Sequence, residues 1–211
     1  YDVSRLMAGA WGTLGVITEV SLKVLPTAPA EATLRFECSQ ADALRRINAW
    51  GGQPLPLNAS CWVEDAGVGT LYLRLRGAVA AVDAACRNLG GERLDAAEVA
   101  ADWEACRDQR IPWFTERFPG DCLWRLSVPQ AAPALTLPPG VGAPLVEWHG
   151  AQRWIKAGPG HALALREMAA NAGGYATLFR ANSDHSMLDW SRFEPLKPPL
   201  DRIHQRLKAE F

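Results

Sequence analysis

Four side-chain types in this sequence can bind or transform a small molecule, and their spacing sorts them. The histidines are His149, His161, His185 and His204, and none stands in an H-x-H or H-x-x-x-H pair. The close ligand spacing of a metal helix or strand is therefore missing. Asp184-His185 with Asp189 supplies ligand types inside a polar, irregular stretch, where solvated side chains are the simpler account. The five cysteines, Cys38, Cys61, Cys86, Cys106 and Cys122, are odd in number and form no C-x-x-C pair. That argues against a disulfide framework or a zinc cluster, favours a reducing compartment, and fits small buried hydrophobes. No G-x-S-x-G, Walker A or G-x-G-x-x-G run occurs, and Glu64-Asp65 reads as the polar end of a strand. What remains is arginine. Arg74 and Arg125 each sit at the centre of an alternating segment, with Arg35 and Arg76 in similar settings. A guanidinium fork can match a carboxylate with two parallel hydrogen bonds, while solvated side chains on an open sheet face are the simpler account of these arginines.

The elements that hold these arginines read as β-α-β-β-α-β. Residues 31–38 alternate, with Leu34, Phe36 and Cys38 on one face and Thr33, Arg35 and Glu37 on the other. Ser39 with Asp42 forms a capping signal for a helix striped by Ala43, Leu44 and Ile47, which Gly51-Gly52 ends. Strands follow over 59–64 and 70–76, then a helix over 78–89 that stops at Gly90-Gly91, and a short strand over 92–95. A helix over about 96–109 leads to Ile111-Pro112. The pattern then repeats in topology but not in residues: a strand over 121–128, a proline-rich link from Pro129 to Pro139 in place of a helix, a hairpin of 144–149 with 152–157, a helix over 160–172 and a strand over 175–180. Two such units predict an α+β, ferredoxin-like arrangement: an antiparallel sheet with helices on one face. If Leu71, Leu73 and Leu75 face the helices, then Tyr72, Arg74 and Arg76 lie on the opposite, helix-free face, and Arg35 and Arg125 fall on that side too.

Composition bounds the rest. The chain has 211 residues, 48% apolar and 21% charged, with 22 basic against 23 acidic side chains. This fits one folded domain, or one domain with part of another, and leaves no basic footprint for nonspecific nucleic-acid binding. No apolar run approaches the roughly 20 residues that span a bilayer, and Tyr1-Asp2 opens no secretory leader. The absence of an initial Met, and an end at Phe211 inside the helical pattern Leu200, Ile203, Leu207, read as a piece of a longer protein.

The first residues have a different texture. A glycine-containing turn, Gly9-Ala10-Trp11-Gly12-Thr13-Leu14-Gly15, precedes an apolar strand, Val16 to Leu25, and Pro26-Thr27-Ala28-Pro29 closes it. Glycines allow tight turns and let backbone amides approach a ligand. The run Arg5 to Val20 closely resembles the end of the flavin-binding domain in FAD-linked oxidases of the vanillyl-alcohol-oxidase type. Trp103-Glu104-Ala105-Cys106-Arg107 with Ile111-Pro112, Gly174 to Arg180, and Leu200 to Phe211 resemble the cap of one branch of that family, the FAD-binding E-type subunits of bacterial glycolate-oxidising complexes.

The resemblance implies that residues 1–28 are the end of an FAD-binding domain and 29–211 a cap, or substrate domain, with a C-terminal loop and helix. It implies that Gly12, Thr13, Leu14, Gly15 and Val16 pass beside FAD, which the fragment alone is not expected to hold. It also implies an FAD-dependent oxidoreductase acting on the CH–OH of glycolate or a similar 2-hydroxy acid. Electrons would pass to partner subunits, a flavin subunit of D type and an iron–sulfur subunit of F type. The location implied is cytoplasmic, peripheral at the inner membrane through those partners. Arg74 and Arg125 are then the expected carboxylate anchors; no catalytic group and no metal ligand is assigned. Two other readings stand beside this one: a non-catalytic scaffold subunit of the same complex, and a ferredoxin-like module that binds a small molecule.

Overall fold

A computed structural model describes residues 2–65, 67–116, 122–181 and 191–210. Contacts divide the chain into two bodies, Tyr1–Thr27 with Pro195–Phe211, and Ala28–Glu194. The division after Thr27 falls next to the boundary read near residue 28. Residues 195–211, read above as the tail of the cap, group with the N-terminal segment. The loop residues Asp184, His185 and Asp189 lie outside the described residues.

In the smaller body, α1 (Ser4–Met7) is a single turn. The strand expected over 16–25 does not form: these residues are extended but in no ladder, and Val16 and Leu25 are 88% and 89% exposed. The sequence alternates as a strand should. A strand is stable only when a neighbour takes up its backbone hydrogen bonds, and no described residue does so here.

The larger body carries β1 (Ala30–Glu37), α2 (Gln40–Gly51), β2 (Leu57–Asp65), β3 (Val68–Gly77), α3 (Val79–Leu89) and β4 (Glu92–Leu94). After them come α4 (Ala96–Arg107), α5 (Pro112–Thr115), β5 (Cys122–Ser127), β6 (Leu145–Glu147), β7 (Gln152–Ala157), α6 (Ala162–Asn171) and β8 (Tyr175–Arg180). The smaller body ends the chain with α7 (Pro198–Glu210), which buries none of its side chains. Local chemistry sets the helix ends. Ser39 Oγ accepts the Asp42 backbone N–H at 3.1 Å and starts α2. Asp95 does the same for α4, taking the N–H groups of Ala97 and Glu98 at 2.8 and 3.3 Å. Gly90 and Gly91, with φ of 67° and 82°, turn the chain out of α3, and a Cβ on Gly91 would enter the ring of Phe36.

The eight strands of the described residues form one antiparallel sheet in the order β4-β1-β3-β2-β6-β7-β5-β8. Each half has the ferredoxin-like order, and the halves meet edge to edge at β2 and β6. The α+β reading is therefore borne out. Leu71, Leu73 and Leu75 are fully buried with Leu34, Leu44, Ile47 and Val82 beneath α2 and α3. In the second half, Trp124, Leu126, Ile155 and Leu178 meet Leu165 and Ala169 of α6.

No helix occupies the place of α2 in the second half. The proline-rich link crosses there and lays Leu135, Leu137 and Val141 on the core. Arg153 fastens it. This arginine is 1% exposed, and its three nitrogens donate to Gly150 O (3.2 Å), Pro133 O (2.6 Å) and Ala132 O (2.6 Å). Burial pulls the guanidinium down to about 10, so it remains charged at neutral pH. Three backbone acceptors solvate it in place of water.

The expectation of helices on one face alone needs correction. Helices α2, α3 and α6 share one face, but α4 and α5 cross the other. There Cys106, Trp103 and Phe114 pack on Cys61, Leu123, Leu145 and Trp154. The face of the arginines is thus partly covered, because a linker that must travel from β4 to β5 crosses the sheet and buries apolar residues as it goes.

Replacing Arg153 by Met strands the buried carbonyls of Gly150 and Ala132, each costing about 1–3 kcal/mol when unpaired, and frees that of Pro133. Urea unfolding of Arg153→Met is expected to show a loss of about 3 kcal/mol or more, with Arg153→Lys recovering part of it. Equal stability of Met variant and wild type would remove this clamp from the account.

Candidate functional site

A cavity of about 530 Å³ lies on the face of the arginines, between the first half of the sheet and the α4–α5 crossing. Trp103, Val99 and Trp113 wall one side. Val63, Tyr72 and Cys61 form the sheet side, and Arg35, Glu64, Asp102 and Glu116 stand around it. Trp103 is fixed by its indole N–H, which donates to the buried Thr33 hydroxyl at 2.9 Å. Lys156 reaches the rim from β7, with Nζ donating to Glu116 O at 2.7 Å and lying 4.7 Å from the centre of the Trp113 ring.

Beneath this cavity Glu147 gathers three elements. Its Oε2 accepts the Trp154 indole N–H at 2.6 Å and the Gln152 side-chain amide at 3.1 Å, both from β7. Its Oε1 accepts the Cys106 thiol of α4 at 3.2 Å. Cys61, directly opposite Glu147 across the β2–β6 ladder, completes the group. A hydrogen bond with Cys106, burial and the nearby carboxylate push the Cys61 thiol well above the ordinary thiol range.

The arginines differ in what they already hold. Arg74 grips Glu31 with both arms of its fork, at 2.6 and 2.8 Å, and stacks 5.8 Å from Trp103. Arg76 shares Glu31 at 3.1 Å, and Arg35 pairs with Glu92 at 2.6 Å. Arg125 differs. It stands in β5 between Trp154 and Thr177 in the register, 5.7 Å from the Phe179 ring. Its Nε is buried with no hydrogen-bond partner, and among the described residues no carboxylate pairs with it. Phe179, Trp154, Phe114 and Trp113 run edge to face from Arg125 toward the cavity, with centroids 4.9–5.5 Å apart. The structure therefore places the two expected anchors on one face, one satisfied and one with binding capacity left.

The turn Gly12, Thr13, Leu14, Gly15, Val16 belongs to the smaller body. Gly12 has φ of 73° with open space where a Cβ would stand, and Thr13 Oγ1 donates to Ala10 O at 2.6 Å.

Compared with curated proteins, the chain is 42% identical over 212 residues to glycolate oxidase subunit GlcE of Escherichia coli (strain K12). It is similar to GlcE from end to end. The match takes in the whole of this chain and 54% of the relative, so the chain spans about half of GlcE's length. The likeness to subunits of glycolate-oxidising complexes read from the sequence is thereby borne out. No protein-family model matches the chain. No solved structure matches it. Among the described residues, no helix is long and apolar enough to cross a membrane, and no three metal-ligating side chains gather where they could hold an ion.

Sequence reasoning missed the Glu147 group, and little signal existed for it: Cys61, Cys106 and Glu147 are far apart in the chain, and only the β2–β6 pairing and the path of α4 bring them together. Arg153 was legible. It stands in the inward register with Ile155 and Ala157, where a charge needs a special reason.

Beside the β2–β6 seam, His149 sits at φ 53° with its N–H on Ser60 Oγ at 2.9 Å and its Nδ1 buried without a partner. Burial holds its imidazole below the usual histidine range. The unfolded chain therefore takes up the proton first as pH falls, and stability drops as pH passes below about 6.5. Asparagine tolerates the left-handed backbone. Between neutral pH and pH about 5.5, wild type should lose more unfolding free energy than His149→Asn; equal losses would exclude His149 as a source of acid sensitivity.

Proposed function

We propose that this chain is the cap portion of an FAD-linked subunit that oxidises glycolate, or a similar 2-hydroxy acid, to the 2-oxo acid within a multisubunit complex. Arg125 anchors the substrate carboxylate. The observation that carries the reading is the buried, unpartnered Nε of Arg125 on the arginine face, in a chain similar over its whole length to part of a glycolate oxidase subunit. Arg74 was the other candidate anchor. With its fork held by Glu31, it is assigned a supporting part: neutralising Glu31 and stacking on Trp103.

In this reading Arg125 takes both carboxylate oxygens of the acid and fixes its rotation. Phe179 and Trp154 shield the pair from water, which strengthens the ionic contact. Thr177, on the neighbouring strand, keeps the site narrow. The turn Gly12–Val16 forms one edge of the flavin site in the whole protein. In the whole protein FAD would supply the acceptor for the hydride of the hydroxyl-bearing carbon. Electrons leave through partner subunits of the D flavin type and F iron–sulfur type, in the cytoplasm or at the membrane surface that those partners supply.

One observation favours a second reading, a scaffold subunit. Arg35, Arg74 and Arg76 on this face are already paired with carboxylates, and α4–α5 cover part of it. A face so filled serves contact and rigidity more than turnover.

The test is Arg125→Met in the intact complex. The Michaelis constant for glycolate is expected to rise about tenfold or more, the effect of losing a charged hydrogen bond of roughly 1.5–3 kcal/mol. Arg74→Met should change it much less, since that fork is occupied. Unchanged kinetics in Arg125→Met would remove it from the substrate site and leave the scaffold reading.

A further inference from the structure

The two buried cysteines under the cavity are the group that the proposed chemistry leaves unused. Cys106 comes from α4 and Cys61 from β2, and both line the cavity of about 530 Å³. They pack in one buried cluster and meet at Glu147, which lies directly opposite Cys61 in the ladder and within hydrogen-bond distance of Cys106. Cys122, by contrast, is buried in the helix-side core with no thiol beside it. Each residue is less than one-tenth exposed, but the cavity opens a path to them that an ordinary core cysteine lacks. The third member of the group decides the chemistry. Glu147 Oε1 already accepts the Cys106 S–H at 3.2 Å, so a proton acceptor stands in place.

We propose that Cys61 and Cys106 form a redox-reactive thiol pair that closes to a disulfide, fastening α4 to β2 across the floor of the cavity. The oxidant is a small disulfide that enters the cavity. The Cys106 proton passes to the Glu147 carboxylate, and the thiolate attacks one oxidant sulfur. The oxidant's S–S bond breaks, and its other half leaves as a thiolate that takes up a proton. The Cys61 sulfur then attacks Cys106 Sγ, its proton going to solvent, and the second half of the oxidant leaves as a thiol. Two protein thiols lose two electrons and two protons; one small disulfide becomes two thiols.

The order of attack follows from the surroundings. The hydrogen bond to Cys106, burial and Glu147 keep Cys61 protonated, so Cys106 attacks first and Cys61 resolves. The consequence is mechanical. Helix α4 carries Trp103, Val99 and Asp102 of the cavity wall, and Trp103 stacks on Arg74. Closing the disulfide pins that wall to the sheet.

The test uses oxidised glutathione on the folded chain, followed by alkylation, proteolysis and mass spectrometry. Cys38 and Cys86 are more exposed and report that the oxidant is active. The expected product is a peptide pair joined through Cys61 and Cys106, separated again by dithiothreitol, with a melting temperature raised by several degrees. Cys61→Ser should instead accumulate glutathione on Cys106. Cys106→Ser should leave Cys61 unmodified. A wild-type protein that carries glutathione on Cys38 or Cys86 but no Cys61–Cys106 link overturns the proposal. So does a link from either cysteine to Cys38, Cys86 or Cys122, and so does adduct formation at Cys61 in Cys106→Ser.

Discussion

Two residue pairs join the halves of the sheet: Cys61 opposite Glu147 and Trp62 opposite Val146. Everything on the arginine face depends on this short seam. Side chains in a strand alternate, so a slip of one residue here would send Glu147 to the helix side and Val146 to the other. The seam is reinforced from both faces. Val146 and Trp62 enter the core beneath α2 and α3, while Glu147 takes hydrogen bonds from β7 and α4. Just past it, the His149 N–H on Ser60 continues the contact. The tight approach at Gly150, where a Cβ would stand 2.8 Å from Leu44 Cδ2, ties the turn to α2. One register thus sets where the cavity, the aromatic row and Arg125 stand relative to one another.

Much of this was legible. The period-two alternation in β1, β3 and β5 assigned Arg35, Arg74, Arg76 and Arg125 to one face, because burying leucines on one side leaves their neighbours no other place. The capping residues Ser39 and the paired glycines Gly90-Gly91 marked helix ends by mechanisms that are local in sequence. What failed was not local. Residues 16–25 alternate like a strand, but a ladder needs a partner, and alternation says nothing about where that partner is. The crossing of α4 and α5 was missed because α4 has no strong apolar stripe. It buries Cys106 and leans Trp103 on Thr33, contacts between isolated residues and not a periodic face. For the candidate site, the side and the residue type were readable. Which arginine remains unpaired was not, since Glu31 is 43 residues from Arg74 in sequence and meets it only through the β1–β3 register.

The two halves of the arginine face are built differently. In the first half, carboxylates saturate the cations and two tryptophans roof a cavity. In the second, the Arg125 guanidinium lies among aromatic rings with capacity to spare. The repeated topology therefore produces two unlike surfaces, and similarity to a glycolate oxidase subunit gives the second of them a chemical purpose as a proposal.

Amide hydrogen exchange across the seam tests the central claim most directly. If β2 and β6 close one continuous sheet, the amides of Cys61, Trp62, Val146 and Glu147 should exchange about as slowly as those of Leu71 to Leu75 in the middle of the first half. Fast exchange at these four positions, with β3 still protected, would mean two half-sheets that open independently, and the shared arginine face would no longer be a fixed surface.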